Sequence, residues 1–386
     1  MNPLTLPFLA ELTALRRDLH AHPELAFNEA RTSDIVAREL RAYGLEVRRG
    51  LAKTGVVGVL RAGTGKRMIG LRADMDALPL DEQNDFAHRS THAGCMHACG
   101  HDGHTAMLLG AARYLASRPD FDGSVAFIFQ PAEEAEGGAA VMIEEGLFER
   151  FPVESVYGLH NWPGLPVGTM AVHAGAVMAS TCRLEITVSA QGSHAAMPQQ
   201  GVDAIVTASH LVTALQTVAA RNLSPLDAAV VSVTQFHAGS AWNILPDEVV
   251  LRGTIRTFKP EIQTAVETAV SRLCQGMAAS FGAQIEVSFN RLYPPTVNTA
   301  AEAATCSRVA EKVLGHEKVL TDAAPAMTAE DFSFMLQQKP GCYVWLGNGS
   351  GEGGCTLHNP NYDFNDAALG VGIAYWVALA REILRP

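Results

Sequence analysis

Between Met96 and His104 the chain reads MHACGHDGH, which sets His97, Cys99, His101, Asp102 and His104 within nine residues. Imidazoles and carboxylates are costly to bury without partners, so a run spaced only by Ala and Gly is poor core material. Three chemistries suit it: a solvated loop, a structural zinc site, or part of a reaction centre. Taken alone, Cys95, His97, Cys99 and His101 have the close spacing of a zinc knuckle. Donors elsewhere in the chain decide between these.

Such donors follow the apolar strands. The strand pattern Ser124–Gln130 runs into FQPAEEAEGG, with Glu133 and Glu134 just past its end. A second strand ends in YGLHNWPG and carries His160, and GCTLHNPNYDFND supplies His358. Sites in open α/β sheets lie outside the carboxyl ends of strands, so these segments can meet MHACGHDGH at one edge. Adjacent glutamates in an extended turn point in different directions, and one can bind metal while the other faces substrate. A metal-bound water has its pKa lowered towards neutrality. A nearby unligated Glu can then take its proton and pass it to a leaving amine.

The elements that must position these residues are legible as periodicity. A helix over Asn28–Tyr43 stops at Gly44, a good C′ residue. Strands at Gly55–Leu60 and Met68–Arg72 precede a small-residue helix, Thr105–Leu115. After Ser124–Gln130 come a helix over Gly138–Gly146 and the strand Ser155–His160. This alternation predicts an α/β fold with a mixed, largely parallel sheet between helices.

Near Met178 the pattern changes to strand Arg183–Ala190, helix Val202–Ala220, strands Ala229–Phe236 and Glu248–Phe258, helix Pro260–Ser280 and strand Gln284–Phe289. That order is the ferredoxin-like βαββαβ unit. Leu184, Ile186 and Val188 alternate cleanly, so one face is open or covered only by the two helices. Beyond Arg291 helical and strand patterns resume through Tyr343–Leu346 to a final helix, Asn365–Leu384. The expected organisation is a catalytic domain over 1–179 and 291–386, interrupted by an inserted domain over 180–290.

Composition narrows the partners. A chain of 386 residues exceeds one ordinary domain. Its 29 basic and 40 acidic residues leave a net charge of −11, which argues against nucleic acid or an anionic membrane. No apolar run approaches the roughly 18 residues that span a bilayer. The N-terminal stretch lacks a basic region and cleavage site and reads as a helix with Phe8, Leu12, Leu15 and Leu19 on one face. Seven scattered cysteines, an odd number, suit the reducing cytoplasm.

Nine segments occur in order: RADMDALP (72–79), HACGHDGHTAMLLGAA (97–112), FQPAEE (129–134), GLHNWP (158–163), GSHAAMP (192–198), NILPD (243–247), GTIRTF (253–258), AEDFSF (329–334) and LHNPNYDFND (357–366). Together they resemble the peptidase M20 family in its amidohydrolase branch, which includes hippurate hydrolases, aminoacylases and plant auxin-conjugate hydrolases. The similarity covers nearly the whole chain. It implies a two-metal site bridged by Cys99 and completed by His101, Glu134, His160 and His358, with Glu133 as catalytic base. In the wider family the bridging position is usually an aspartate, and a histidine stands where Asp74 stands here. Cys99 with Asp74 therefore fits the amidohydrolase branch better than the carboxypeptidase branch.

The resemblance further implies that Asp76 and Asp102 orient ligand imidazoles. It implies that His194 of the inserted domain reaches across a dimer interface to polarise the amide carbonyl in the other subunit. Asn243 and Arg256 match positions that hold the substrate carboxylate, a task suited to the guanidinium fork. The implied reaction is hydrolysis of an N-acyl amino acid to a carboxylic acid and a free amino acid, by a homodimer or homotetramer. Each chain would hold two divalent ions, Zn²⁺ or Mn²⁺, with Co²⁺ and Ni²⁺ also compatible. The nearest alternative is a dipeptidase or carboxypeptidase with the same machinery. A non-catalytic metal- or peptide-binding protein would have no use for Glu133. Cys95 and His97 are then non-ligands, while His20 and His22, near a helix C-terminus, are structural. Two departures from the family pattern, Gln199–Gln200 after GSHAAMP and Thr328 in MTAEDFSFM, bear on the substrate pocket and remove no ligand or base.

Overall fold

The computed structural model describes residues 6–134, 137–350 and 355–385. Residues 1–5 of the expected N-terminal helix, and Ala135, Glu136 and Gly354 of the quoted motifs, lie outside the described residues. Two compact units emerge, Met1–Val177 with Val297–Ala324 and Asp331–Pro386, and Met178–Thr296 with Pro325–Glu330.

The first unit is built on an eight-stranded sheet. Its spatial order is Glu46–Leu51, Gly55–Ala62, Gly123–Gln130, Met68–Asp74, Ser155–Pro163, Gly341–Gly349, Met170–Ala171, Val319–Leu320. The four strands from Gly123–Gln130 to Gly341–Gly349 run parallel, and the first two join antiparallel. Every residue of Gly123–Gln130 and of Met68–Asp74 is buried, as a parallel sheet covered on both faces requires. The strand Glu46–Leu51 escaped the periodicity because its sequence, EVRRGL, is that of a solvated edge.

Helix His101–Ser117 packs against Leu369–Ile383, Leu9–Ala21 and the strand Met68–Asp74. Leu108 and Leu109 are fully buried there, each worth about 1.5–3 kcal/mol. This helix starts four residues earlier than the expected Thr105, so the second half of MHACGHDGH is a helical turn and not a loop. Gly100 makes that start possible. It takes the left-handed φ of +95°, and a Cβ there would stand 2.2 Å from Asn161 Oδ1. His101 and His104 thereby fall three residues apart on one helical face.

The second unit holds a four-stranded antiparallel sheet in the order Ala229–Ala238, Glu248–Thr257, Thr181–Ser189, Gln284–Tyr293. Helices Ala204–Arg221 and Pro260–Phe281 complete a βαββαβ order of the ferredoxin-like type. Leu184, Ile186 and Val188 meet Leu211, Leu215, Val266 and Val270 in one core, while Arg183 and Glu185 on the other face are exposed. Asp203 starts the first helix by accepting the Val206 amide at 2.9 Å. The segment Pro325–Glu330 returns to this unit, where Ala179 N donates to Thr328 O at 2.8 Å. Among the described residues no helix is long and apolar enough to cross a membrane.

Candidate metal centre

The carboxyl ends of the parallel strands deliver the first-unit residues to one place. Asp74 and Asp76 end and follow Met68–Asp74, Glu133 and Glu134 follow Gly123–Gln130, and His160 lies within Ser155–Pro163. Cys99 and His101 flank the start of helix His101–Ser117. His358 approaches on a loop in the left-handed region, φ +62°, with its amide bonded to Ala98 O at 2.8 Å.

Donor atoms of Cys99, His101 and His160 all lie within 4.8 Å of one another, and so do those of Cys99, Glu134 and His358. Cys99 belongs to both sets. Its sulfur stands 3.3 Å from His160 Nε2. His101 gives Nδ1 to the Asp76 carbonyl at 2.8 Å, which leaves Nε2 to face the centre. His160 does the same with the Asn161 carbonyl at 2.6 Å. His358 Nε2 stands 3.2 Å from Glu134 Oε1.

Charge and hydrogen bonding both fit divalent cations. His101 Nε2 is buried without a hydrogen bond, a costly state that a metal would relieve. Burial, then the carboxylates Glu134, Glu133 and Asp74, hold the Cys99 thiol well above its ordinary pKa. Burial lowers His101, but Asp74, Asp76 and Glu134 overcome it and raise the imidazole to about 10. Burial and the neighbouring His104 hold His160 well below its ordinary value. Crowded buried carboxylates favour a nearby cation, and a sulfur ligand with imidazoles would suit zinc and its neighbours in the first transition series.

Asp76 acts on the centre in two ways. Its carbonyl orients His101, and its carboxylate accepts the amides of Glu133 at 3.0 Å and Glu134 at 2.9 Å. Ala132, just before them, is held at φ +56°, which costs a non-glycine residue about 1–2 kcal/mol. The Asp76 pair holds the two peptides that follow this strained residue. Glu133 is buried, and its Oε1 accepts the Asp331 amide at 3.3 Å.

Asp102 departs from expectation. Its carboxylate bonds His20 Nδ1 at 3.0 Å and Arg16 at 3.2 Å, and no ligand imidazole. The cause is helical geometry, since a residue beside His101 is turned about 100° around the axis. A network of Asp74, His104, Asn161 and Tyr362 lies beside the ligand imidazoles instead, and Asn161 and Tyr362 are its members that the sequence did not single out. Each Asp74 carboxylate oxygen is held by one partner, Oδ2 by Arg72 at 2.8 Å and Oδ1 by His104 Nδ1 at 2.6 Å. His104 Nε2 lies 2.7 Å from Asn161 Oδ1 and 3.0 Å from the Asn161 amide nitrogen, and Asn161 Nδ2 donates to the Tyr362 hydroxyl at 2.5 Å. The zinc-knuckle grouping is not assembled among the described residues: Cys95 Sγ turns to the Pro23 carbonyl at 3.4 Å, and no cluster of donor atoms there includes Cys95 or His97.

In the second unit, the short antiparallel pair Ser193–His194 and Ile244–Leu245 sets His194 beside Asn243, with Ala195 N donating to Asn243 O at 3.0 Å. Arg256 lies in Glu248–Thr257, partly buried, and no ion pair or side-chain hydrogen bond joins it to another described residue. Burial lowers its pKa, which leaves a cation in want of an anion.

Residues 70–382 match the family described as Peptidase family M20/M25/M40. The chain is 40% identical over 383 residues to the hippurate hydrolase of Campylobacter jejuni, covering 99% of each. It is 39% identical over 380 residues to an N-acetylcysteine deacetylase of Bacillus subtilis, covering 98% of each. A solved Bacillus subtilis structure, described as a dinuclear metal binding peptidase from the M20 family, matches with a TM-score of 0.86 at 35% identity. That match covers 98% of this chain and 99% of the other.

Proposed function

The chain belongs to Peptidase family M20/M25/M40, and from that premise we propose that it hydrolyses the amide bond of N-acyl amino acids with two divalent metal ions. The observation that carries this reading is Cys99, shared by two donor sets beside the buried Glu133. Cys99, His101 and His160 would hold one ion, and Cys99, Glu134 and His358 the other. When bound, such ions polarise a carbonyl and acidify a water molecule.

The chain's own residues do the rest. Glu133 takes the proton of the attacking water and returns it to the nitrogen of the departing amino acid. The Asp331 amide steadies the carboxylate for both transfers. We assign His194 the stabilisation of charge on the carbonyl oxygen, across a dimer interface from a second copy of the chain. Arg256 and Asn243 hold the amino acid carboxylate, which makes a free carboxylate a substrate requirement. The inserted unit, expected over 180–290, is thus both a substrate-binding and a dimerisation domain. Zn²⁺ or Mn²⁺ is the expected metal. Seven unpaired cysteines favour a reducing compartment such as the cytoplasm.

The test is hydrolysis of N-benzoylglycine by chelator-stripped protein with Mn²⁺ or Zn²⁺ returned stepwise. Activity should reappear as about two metals bind per chain. Two bound metals with turnover only of dipeptides would move the assignment to a peptidase. One tightly bound metal without any hydrolysis would restore a structural zinc site.

A further inference from the structure

We propose that Glu29, outside the metal centre, is the positioning residue that fixes Ala132 and so aims the Glu133 carboxylate. The inference rests on the reading of Glu133 as the base. Glu29 is fully buried at the start of helix Ala30–Ala42, yet its side chain does not cap that helix. Oε1 instead accepts the amides of Phe27 at 3.0 Å and Ala132 at 2.9 Å, and Oε2 accepts the Thr54 hydroxyl at 2.5 Å.

Both amides belong to left-handed residues, Phe27 at φ +60° and Ala132 at φ +56°. Neither is glycine, so neither holds that conformation without help. Ala132 is clamped on its other side as well, where its carbonyl accepts Gly138 N at 2.9 Å. The next two amides, of Glu133 and Glu134, belong to Asp76. Glu29 therefore holds the first link of a backbone run whose following links carry the base and a metal ligand. Without it the Ala132 N–H is buried with no acceptor, and φ is free to relax to negative values. That rotation swings the peptide leading into Glu133. A misplacement of about 1 Å at a reacting group can cost on the order of 100-fold in rate.

A merely structural Glu29 would tie the loop before its helix to the strands and lower stability when lost. A positioning Glu29 predicts a different pattern. Glu29→Gln keeps an oxygen for both amides and offers Nε2–H to the Thr54 oxygen, so it should rescue function. Glu29→Ala cannot, and if that protein does not fold, Glu29→Asp, one methylene short, takes its place.

Metal-reconstituted full-length proteins would be compared for kcat and KM on N-benzoylglycine, for bound metal, and for amide exchange in a peptide covering Ala132. Glu29→Ala should lose about 10- to 100-fold in kcat while KM moves less than about threefold. It should keep its metal and lose exchange protection at Ala132. Glu29→Gln should stay within about threefold of wild type in kcat and keep the protection. Unchanged kcat and protection in Glu29→Ala overturns the proposal. So does a Gln variant as impaired as the Ala variant, or a kcat that falls only in step with metal content or melting temperature. If the wild type hydrolyses no N-acyl amino acid, the functional reading fails, while the exchange comparison still decides the role of Glu29.

Discussion

Asp102 Oδ2 lies 3.0 Å from His20 Nδ1, and the other ring nitrogen of His20 lies 3.2 Å from Glu82 Oε1. Both nitrogens face carboxylates, and only the imidazolium can donate to both. Burial lowers the His20 pKa, but Asp102 and Glu82 overcome it and raise the ring to about 9. A raised pKa means stability that is complete below the ordinary value near 6.5 and is lost as the pH climbs through 9. The loss is on the order of 3 kcal/mol. Urea unfolding from pH 6 to 10 should show the stability advantage of wild type over His20→Gln shrinking by that order. A gap that stays constant across the range would remove the charged pair from the account.

How much of this was legible in the sequence depends on whether a residue's neighbours are local. Cys99, His101, Glu134, His160 and His358 could be named because each sits in a motif or just past an apolar strand, where α/β folds collect ligands. The parallel strands were legible because both their faces are buried, which leaves continuous apolar runs. Glu29 was not legible. A glutamate opening a helix is ordinarily solvated, and nothing local says that Ala132, 103 residues away, needs an acceptor. Asp102 misled for a related reason. The family resemblance implied that it serves a ligand imidazole, whereas the helical turn aims it at His20 and Arg16.

Glu133 and Glu134 are neighbours with separable tasks, and substitution should part them. Glu133→Ala should lose about 10²- to 10⁴-fold in kcat. Its metal content should equal that of wild type. Glu134→Ala should lose activity together with metal, since Glu134 belongs to the Cys99 and His358 donor set. Metal analysis beside single-substrate kinetics checks both. Full turnover in Glu133→Ala would falsify the assignment of the base.

Cys99 must surrender its proton to any metal it bridges. Burial and the surrounding carboxylates hold that proton tightly, so metal affinity should rise with pH across the neutral range. Titration calorimetry in buffers of differing ionisation enthalpy would count the protons released. Cys99→Ala should release about one proton fewer and bind fewer ions. Equal proton release by the two proteins would mean that the thiol is not a ligand.

Arg256 offers the sharpest check on substrate class. It is a partly buried guanidinium with no described counter-ion, so leaving it unpaired is expensive and a carboxylate partner should repay much of the binding energy. Arg256→Ala should reduce kcat/KM for N-benzoylglycine on the order of 100-fold. N-benzoylglycinamide has the same acyl group and amide bond but no terminal charge. Wild type should hydrolyse it poorly, and the substitution should change that rate little. Arg256→Lys keeps the charge but not the two-pronged geometry, so it should fall between the two. If the acid and the amide lose equally, Arg256 supports the strand it lies in and the carboxylate is held elsewhere.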